Sequence, residues 1–143
     1  GWAMGPKELM KHICKVHQFG IMSAPTTAQF AGIEAIRSGE DDIERMRTQY
    51  DTRRRFLLGE LRSMGLECFE PQGAFYMFPS IVSTGLSCEE FCERLLKEEK
   101  VAVVPGSAFG QSGEGHVRIS YSYSMNHLRE ACFRMRKFLQ KLK

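Results

Sequence analysis

The chain has 143 residues, of which 43% are apolar and 26% charged, an ordinary globular composition that suffices for one domain with a real core and not for two. A net charge of only +3 gives no reason to expect nucleic acid or an anionic membrane surface as a partner. No stretch approaches an uninterrupted apolar span, no signal-peptide pattern opens the chain, and the five cysteines are odd in number, which suits a reduced, cytoplasmic protein better than a disulfide framework.

Taken in chain order, Lys7 to Val16 reads as a short helix. Ser23-Ala24-Pro25-Thr26 opens a second that runs to about Ser38. The longest helix is predicted over 41–64. Ile43, Met46, Tyr50, Leu57, Leu61 and Met64 fall at spacings of three, four or seven and form one apolar stripe. Glu40, Asp41 and Asp42 complement the positive end of its dipole, and Gly65 suits a C-terminal cap. Such a length suggests an element that bridges two parts of a larger protein. Glu67–Glu70 and the aromatic-rich Ala74–Phe78, separated by Pro71-Gln72-Gly73, read as a strand pair. Ser87 with Glu90 is a capping-box arrangement for a helix whose apolar face is Cys88, Phe91, Cys92, Leu95 and Leu96. Val101–Val104 is an apolar strand stopped by Pro105-Gly106. Val117–Ser122 alternates, with Val117, Ile119 and Tyr121 on one face and Arg118, Ser120 and Ser122 on the other. Ser124 caps the last helix, which carries Leu128, Ala131, Cys132, Met135, Leu139 and Leu142 on one side. From residue 41 the order is helix, strand pair, helix, strand, strand, helix. That is an α+β sandwich, a small and mostly antiparallel sheet with helices over one face.

Few residue groups carry chemistry unaided. His12, Cys14 and His17, or Cys88 and Cys92, lack the second pair of ligands that a closed zinc site needs, and the latter two fit a helix core face. No Ser-His-Asp or Cys-His set can be assembled. Val103 to Gly110, with Gly113 and Gly115 after it, is a glycine-rich loop, but no helix follows at once and neither phosphate-cradling fingerprint fits. Arg118 is the most suggestive single residue. A planar fork on a rigid strand, turned from the core, suits bidentate capture of a carboxylate, although an exposed strand arginine with no ligand is the commoner source of such a pattern.

Four segments, in order, resemble aminotransferases of the aspartate family (fold type I). Gly1-Trp2-Ala3-Met4-Gly5 is similar to the glycine-tryptophan-arginine-x-glycine segment, and Pro71 to Pro79 to the aromatic-rich strand of the small domain. Val101 to Gly110 is similar to the proline-glycine-serine-x-phenylalanine-glycine loop. Gly115 to Tyr121 is similar to the strand that bears the substrate-carboxylate arginine. The resemblance implies a C-terminal portion of such an enzyme, with residues 1–40 a helical remnant of the large cofactor-binding domain. Residues 41–143 would be the small C-terminal domain, including the interdomain helix 41–64. It implies pyridoxal phosphate as cofactor of the whole enzyme and transfer of an amino group between an amino acid and a 2-oxo acid. Homodimers and a cytoplasmic location go with it, with no nucleic acid and no membrane. Arg118 would bind the substrate carboxylate, with Phe75 and Tyr76 lining the pocket. Two departures are expected to matter. The lysine that forms the Schiff base would fall eight residues before position 3, upstream of Gly1, and none of the eight lysines present sits in a matching motif. Ala3 occupies the place of the phosphate-binding arginine. These 143 residues are therefore expected to be inactive by themselves. Two other readings compete: a pyridoxal-phosphate carbon–sulfur lyase, and a ferredoxin-like amino-acid-sensing module over 73–142.

Overall fold

The computed structural model describes residues 1–142. They divide into two units, Gly1–Glu44 and Arg45–Lys143, and one long helix runs from the first into the second.

In the first unit, α1 (Lys7–Gly20) and α2 (Thr26–Ser38) are each entered through a proline, Pro6 and Pro25, at φ −54° and −53°. The ring presets the φ that a helix needs. Helix α1 is four residues longer than its apolar pattern predicts, because no breaker intervenes before Gly20 and the left-handed Met22. Neither helix buries a residue. Phe19, Phe30 and Ile36 are 85%, 69% and 66% exposed.

The long helix α3 (Glu40–Ser63) ends, as expected, at a left-handed Gly65. Only the C-terminal half of its stripe is buried, through Leu57, Leu58 and Leu61, whereas Ile43 and Met46 face solvent. The second unit continues with β1 (Tyr76–Met77), α4 (Cys88–Glu99), β2 (Val104–Pro105), β3 (Val117–Ser120) and α5 (Met125–Lys141). The sheet has the order β1-β3-β2 and is antiparallel throughout, with Tyr76 opposite Ser120, Met77 opposite Ile119 and Val104 opposite Arg118. An α+β fold is what the sequence predicts.

The strands are shorter than expected, for local reasons. Glu67–Glu70 forms no ladder: the Glu67 carbonyl accepts from Ser80 N–H and the Cys68 carbonyl from the Arg62 side chain. Leu66 and Cys68 are buried. Ala74, at φ +59°, is left-handed, so pairing begins only at Tyr76. Ser122 N–H donates to Ser120 Oγ, a serine turn that ends β3 two residues early. Residues 101–103 precede the two-residue β2 without pairing.

The core lies between one sheet face and the helices. Met77, Val117 and Tyr121 pack with Leu57, Leu61, Phe91, Leu95, Met135 and Phe138, each large side chain contributing roughly 1.5–3 kcal/mol on full burial. Phe91 and Phe138 meet edge to face at 5.4 Å. Helix α4 departs from the expected face: Leu96 is half exposed and Glu99 is buried in its stead. Glu99 is answered from α5 by Lys137 at 3.2 Å and Lys141 at 2.6 Å, so its burial is compensated. Both serine caps are present, Ser87 accepting from Glu90 N–H and Ser124 from His127 N–H.

Candidate active-site face

The second sheet face carries Arg118. Along β3, Val117 is buried and Arg118 half-buried on the opposite side, as a period of two demands. Tyr76 pairs with Ser120, two residues along β3, and so shares the face with Arg118 as a diagonal neighbour. The guanidinium carbon lies 4.4 Å from the centre of the Tyr76 ring and 4.6 Å from that of Phe109. One ring comes from β1 and the other from the chain segment that follows β2.

The Arg118 side chain forms no hydrogen bond or ion pair with any of the described residues. Other arginines of this unit are committed: Arg54 to Asp51 and Glu70 at 2.8 and 2.6 Å, Arg136 to Glu60 at 2.8 Å, Arg134 to Glu130 at 2.7 Å. A guanidinium stacks through its faces and hydrogen-bonds through its edge. Arg118 lies against two rings, and the five donors of its guanidinium are unspent.

Phe109 reaches this place through a folded loop. After β2 the chain makes two tight 3-10 turns, Gly106–Phe109 and Gln111–Gly113. Gly106 and Gly113 cross so closely that a Cβ on Gly106 would lie 2.0 Å from the Gly113 carbonyl oxygen. The loop is tied to the start of α4. Cys88 N–H donates to Glu114 Oε1 at 3.2 Å, and Cys88 Sγ accepts from Gly115 N–H at 3.1 Å. Ser107 Oγ donates to the Glu89 carboxylate. Hydrogen bonding from Cys88 holds the Glu114 carboxyl below its ordinary range. Phe78 closes the arrangement, stacked on His116 at 5.3 Å and edge-on to Phe109 at 6.2 Å.

Phe75 does not stack on Arg118. It lies on Tyr76 at 4.4 Å and beside Tyr50 of α3 at 6.1 Å. Tyr121 Oη donates to the Ala74 carbonyl at 2.9 Å and holds the turn from which both aromatics project. Arg118 and Tyr76 are thus in contact, Phe75 stands one ring away, and Ala3 is exposed in the first unit. Sequence reasoning missed Phe109 as a neighbour of Arg118, since it lies outside the strand, is related to Arg118 by no regular spacing and comes near only through the glycine crossing. The matching loop motif was its one signal. A cavity of about 440 Å³ lies elsewhere, between Val103 and Ile119 on one side and Leu128, Ala131 and Met135 of α5 on the other, and Arg118 does not line it.

Residues 1–135 match the aminotransferase class I and II family. The chain belongs to that family. The chain is 50% identical over 141 residues to the putative aminotransferase YugH of Bacillus subtilis, covering 99% of the chain and 36% of that relative. It is 44% identical over 147 residues to an aspartate aminotransferase of Pyrococcus horikoshii, covering 98% and 38%. The solved aromatic aminotransferase from Pyrococcus horikoshii OT3 has a TM-score of 0.91 at 41% identity, over 97% of this chain and 38% of that one. The chain therefore spans a little over a third of the length of the curated relatives it matches. Neither the ferredoxin-like module nor the carbon–sulfur lyase is better supported by these matches. Among the described residues no helix is long and apolar enough to cross a membrane.

The family implies pyridoxal phosphate, and the donor set present does not fit that group. All seven described lysines are solvent-exposed. Lys97, Lys137 and Lys141 are engaged by glutamates, and Lys100 Nζ donates to the Lys97 carbonyl. At position 3 a methyl group stands where the resemblance places the phosphate-binding arginine, and it cannot supply a charge-assisted hydrogen bond.

Proposed function

We propose that this aminotransferase chain provides the carboxylate-gripping side of a pyridoxal-phosphate active site. The whole enzyme would move an amino group between an amino acid and a 2-oxo acid. Arg118 binds the α-carboxylate edge-on, through two parallel N–H···O bonds. Tyr76 holds one guanidinium face, and Phe75 lines the approach beyond it. The observation that carries this reading is the uncommitted edge of Arg118 between two aromatic rings. The cofactor-holding groups belong to the whole enzyme and not to these residues. Residues 1–40 read as part of the large domain and 41–143 as the small domain, with α3 joining them and small-domain movement closing the site over substrate. Homodimerisation and a cytoplasmic location complete the proposal. A solved relative, the aspartate aminotransferase from Thermus thermophilus with maleate (38% identity, TM-score 0.86, over 93% of this chain and 35% of that one), is a related protein described with a carboxylate ligand.

Calorimetric titration of the chain with 2-oxoglutarate tests the central residue. Saturable binding is expected, weakened roughly 10- to 100-fold in Arg118→Gln, which is what charge-assisted hydrogen bonds are worth. Equal affinity in the two proteins would contradict the assignment.

A further inference from the structure

We infer that Phe109 is a positioning residue for Arg118: it forms the outer jaw of an aromatic clamp that leaves only the guanidinium edge open to a carboxylate. The inference rests on the reading of Arg118 as the carboxylate site and adds to it a residue and a device. A flexible arginine on an open sheet face samples many rotamers, and fixing one of them costs affinity when a ligand arrives. Here the fixing is done beforehand. The Tyr76 ring, at 4.4 Å, comes from β1, and the Phe109 ring, at 4.6 Å, from the turn that follows β2. Stacking consumes neither an N–H donor nor the positive charge, so the clamp orients the fork without competing with the ligand.

The two jaws differ in how they are held. Tyr76 is fixed by the ladder itself, through its pairing with Ser120. Phe109 is 50% exposed and sits in a loop, where a side chain would ordinarily wander. Three features hold it. The Gly106–Gly113 crossing folds the loop tightly, with room for no side chain at either position. The start of α4 anchors the far limb of the loop through Cys88 to Glu114 and Gly115. Phe78 backs the ring edge-on at 6.2 Å. The loop that reads in sequence as a flexible connection is therefore a rigid mount for one ring.

Side-chain nitrogen spectra of the 143-residue chain test this, with the Arg118 signals assigned by comparison with Arg118→Lys. In the ligand-free protein the ring currents of the clamp should shift the Arg118 side-chain protons upfield. Phe109→Leu keeps an apolar side chain and removes the ring, so those signals should move back toward the position of an unstacked arginine. Affinity for 2-oxoglutarate, read at the same signals, should fall roughly two- to tenfold in that variant, the range a cation–π contact commands. Phe109→Trp restores a ring and should recover both the shift and the affinity, which a purely structural role for Phe109 would not require. The position is half exposed, so core signals should be unchanged in both variants. If 2-oxoglutarate shifts Arg118 in the wild-type chain and Phe109→Leu binds it equally well, the clamp is refuted while the carboxylate site stands. If 2-oxoglutarate leaves Arg118 undisturbed in the wild type, the carboxylate site fails and the clamp with it.

Discussion

At Arg118, function depends on which parts of one side chain are already engaged. Its guanidinium lies within 4.6 Å of the Tyr76 and Phe109 ring centres and its side-chain donors meet none of the described residues, whereas the edge of Arg54 is consumed by Asp51 and Glu70. Alternation along Val117–Ser122 was enough to turn Arg118 away from the core, so its candidacy was legible in sequence. Its aromatic partner on the β2 side was not, because no periodicity links Phe109 to Arg118. What joins them is a backbone crossing at Gly106 and Gly113, a property of two residues that lack side chains. Gly106→Ala places a methyl 2.0 Å from the Gly113 carbonyl oxygen and 2.6 Å from that of His116, and both are backbone atoms that can yield only by moving the loop. It should cost about 1–3 kcal/mol, the usual penalty of overpacking, and weaken carboxylate binding as Phe109 shifts. A thermal midpoint unchanged from wild type would show that the crossing is not tight.

At the scale of elements, helices were far more legible than strands. Helices α3, α4 and α5 declare themselves through caps and through apolar spacing repeated over three or more turns, and Ser87 and Ser124 cap where expected. Strands β1 and β2 have two residues each, too few to show a period, and Glu67–Glu70 has the polarity of a strand without a ladder to join. On α4, spacing alone cannot reveal that Glu99 replaces Leu96 at the core margin, because the reason lies on α5. Lys141, by its hydrogen bond, and then Lys137 hold the Glu99 carboxyl below the ordinary value of 4.5. Glu99 in turn raises Lys141 above 10.5. The signs follow from linkage. A lowered carboxyl contributes stability that is present above its unfolded value and is lost as pH falls through the folded one. A raised ammonium contributes stability that is present below its unfolded value and is lost as pH rises through the folded one. The α4–α5 tie should therefore weaken at both extremes, and the loss of thermal stability between about pH 5 and about pH 3 should be smaller in Glu99→Gln than in wild type. Parallel acid profiles for the two proteins would remove the tie from the account.

For the molecule as a whole, the two units differ in how their apolar side chains are disposed. Arg45–Lys143 has a continuous core, whereas in Gly1–Glu44 Trp2, Phe19, Phe30 and Ile36 are each at least 66% exposed. Large apolar surfaces of this kind drive association. In sedimentation, residues 45–143 alone should run as a monomer that unfolds cooperatively, while the 143-residue chain should form larger species as concentration rises. Monomeric behaviour of the longer chain with aggregation of the shorter would invert this division. The family match extends over residues 1–135 and thus across both units, but the proposed chemistry resides in the second, on the sheet face that bears Arg118.

The most direct test of that claim follows the side-chain signals of all twelve arginines during titration of the chain with 2-oxoglutarate. The account predicts that Arg118 responds first and most strongly and saturates, while Arg54, Arg134 and Arg136, already paired with carboxylates, barely move. A response spread evenly over exposed arginines, or a saturating response at any arginine other than Arg118, would contradict it.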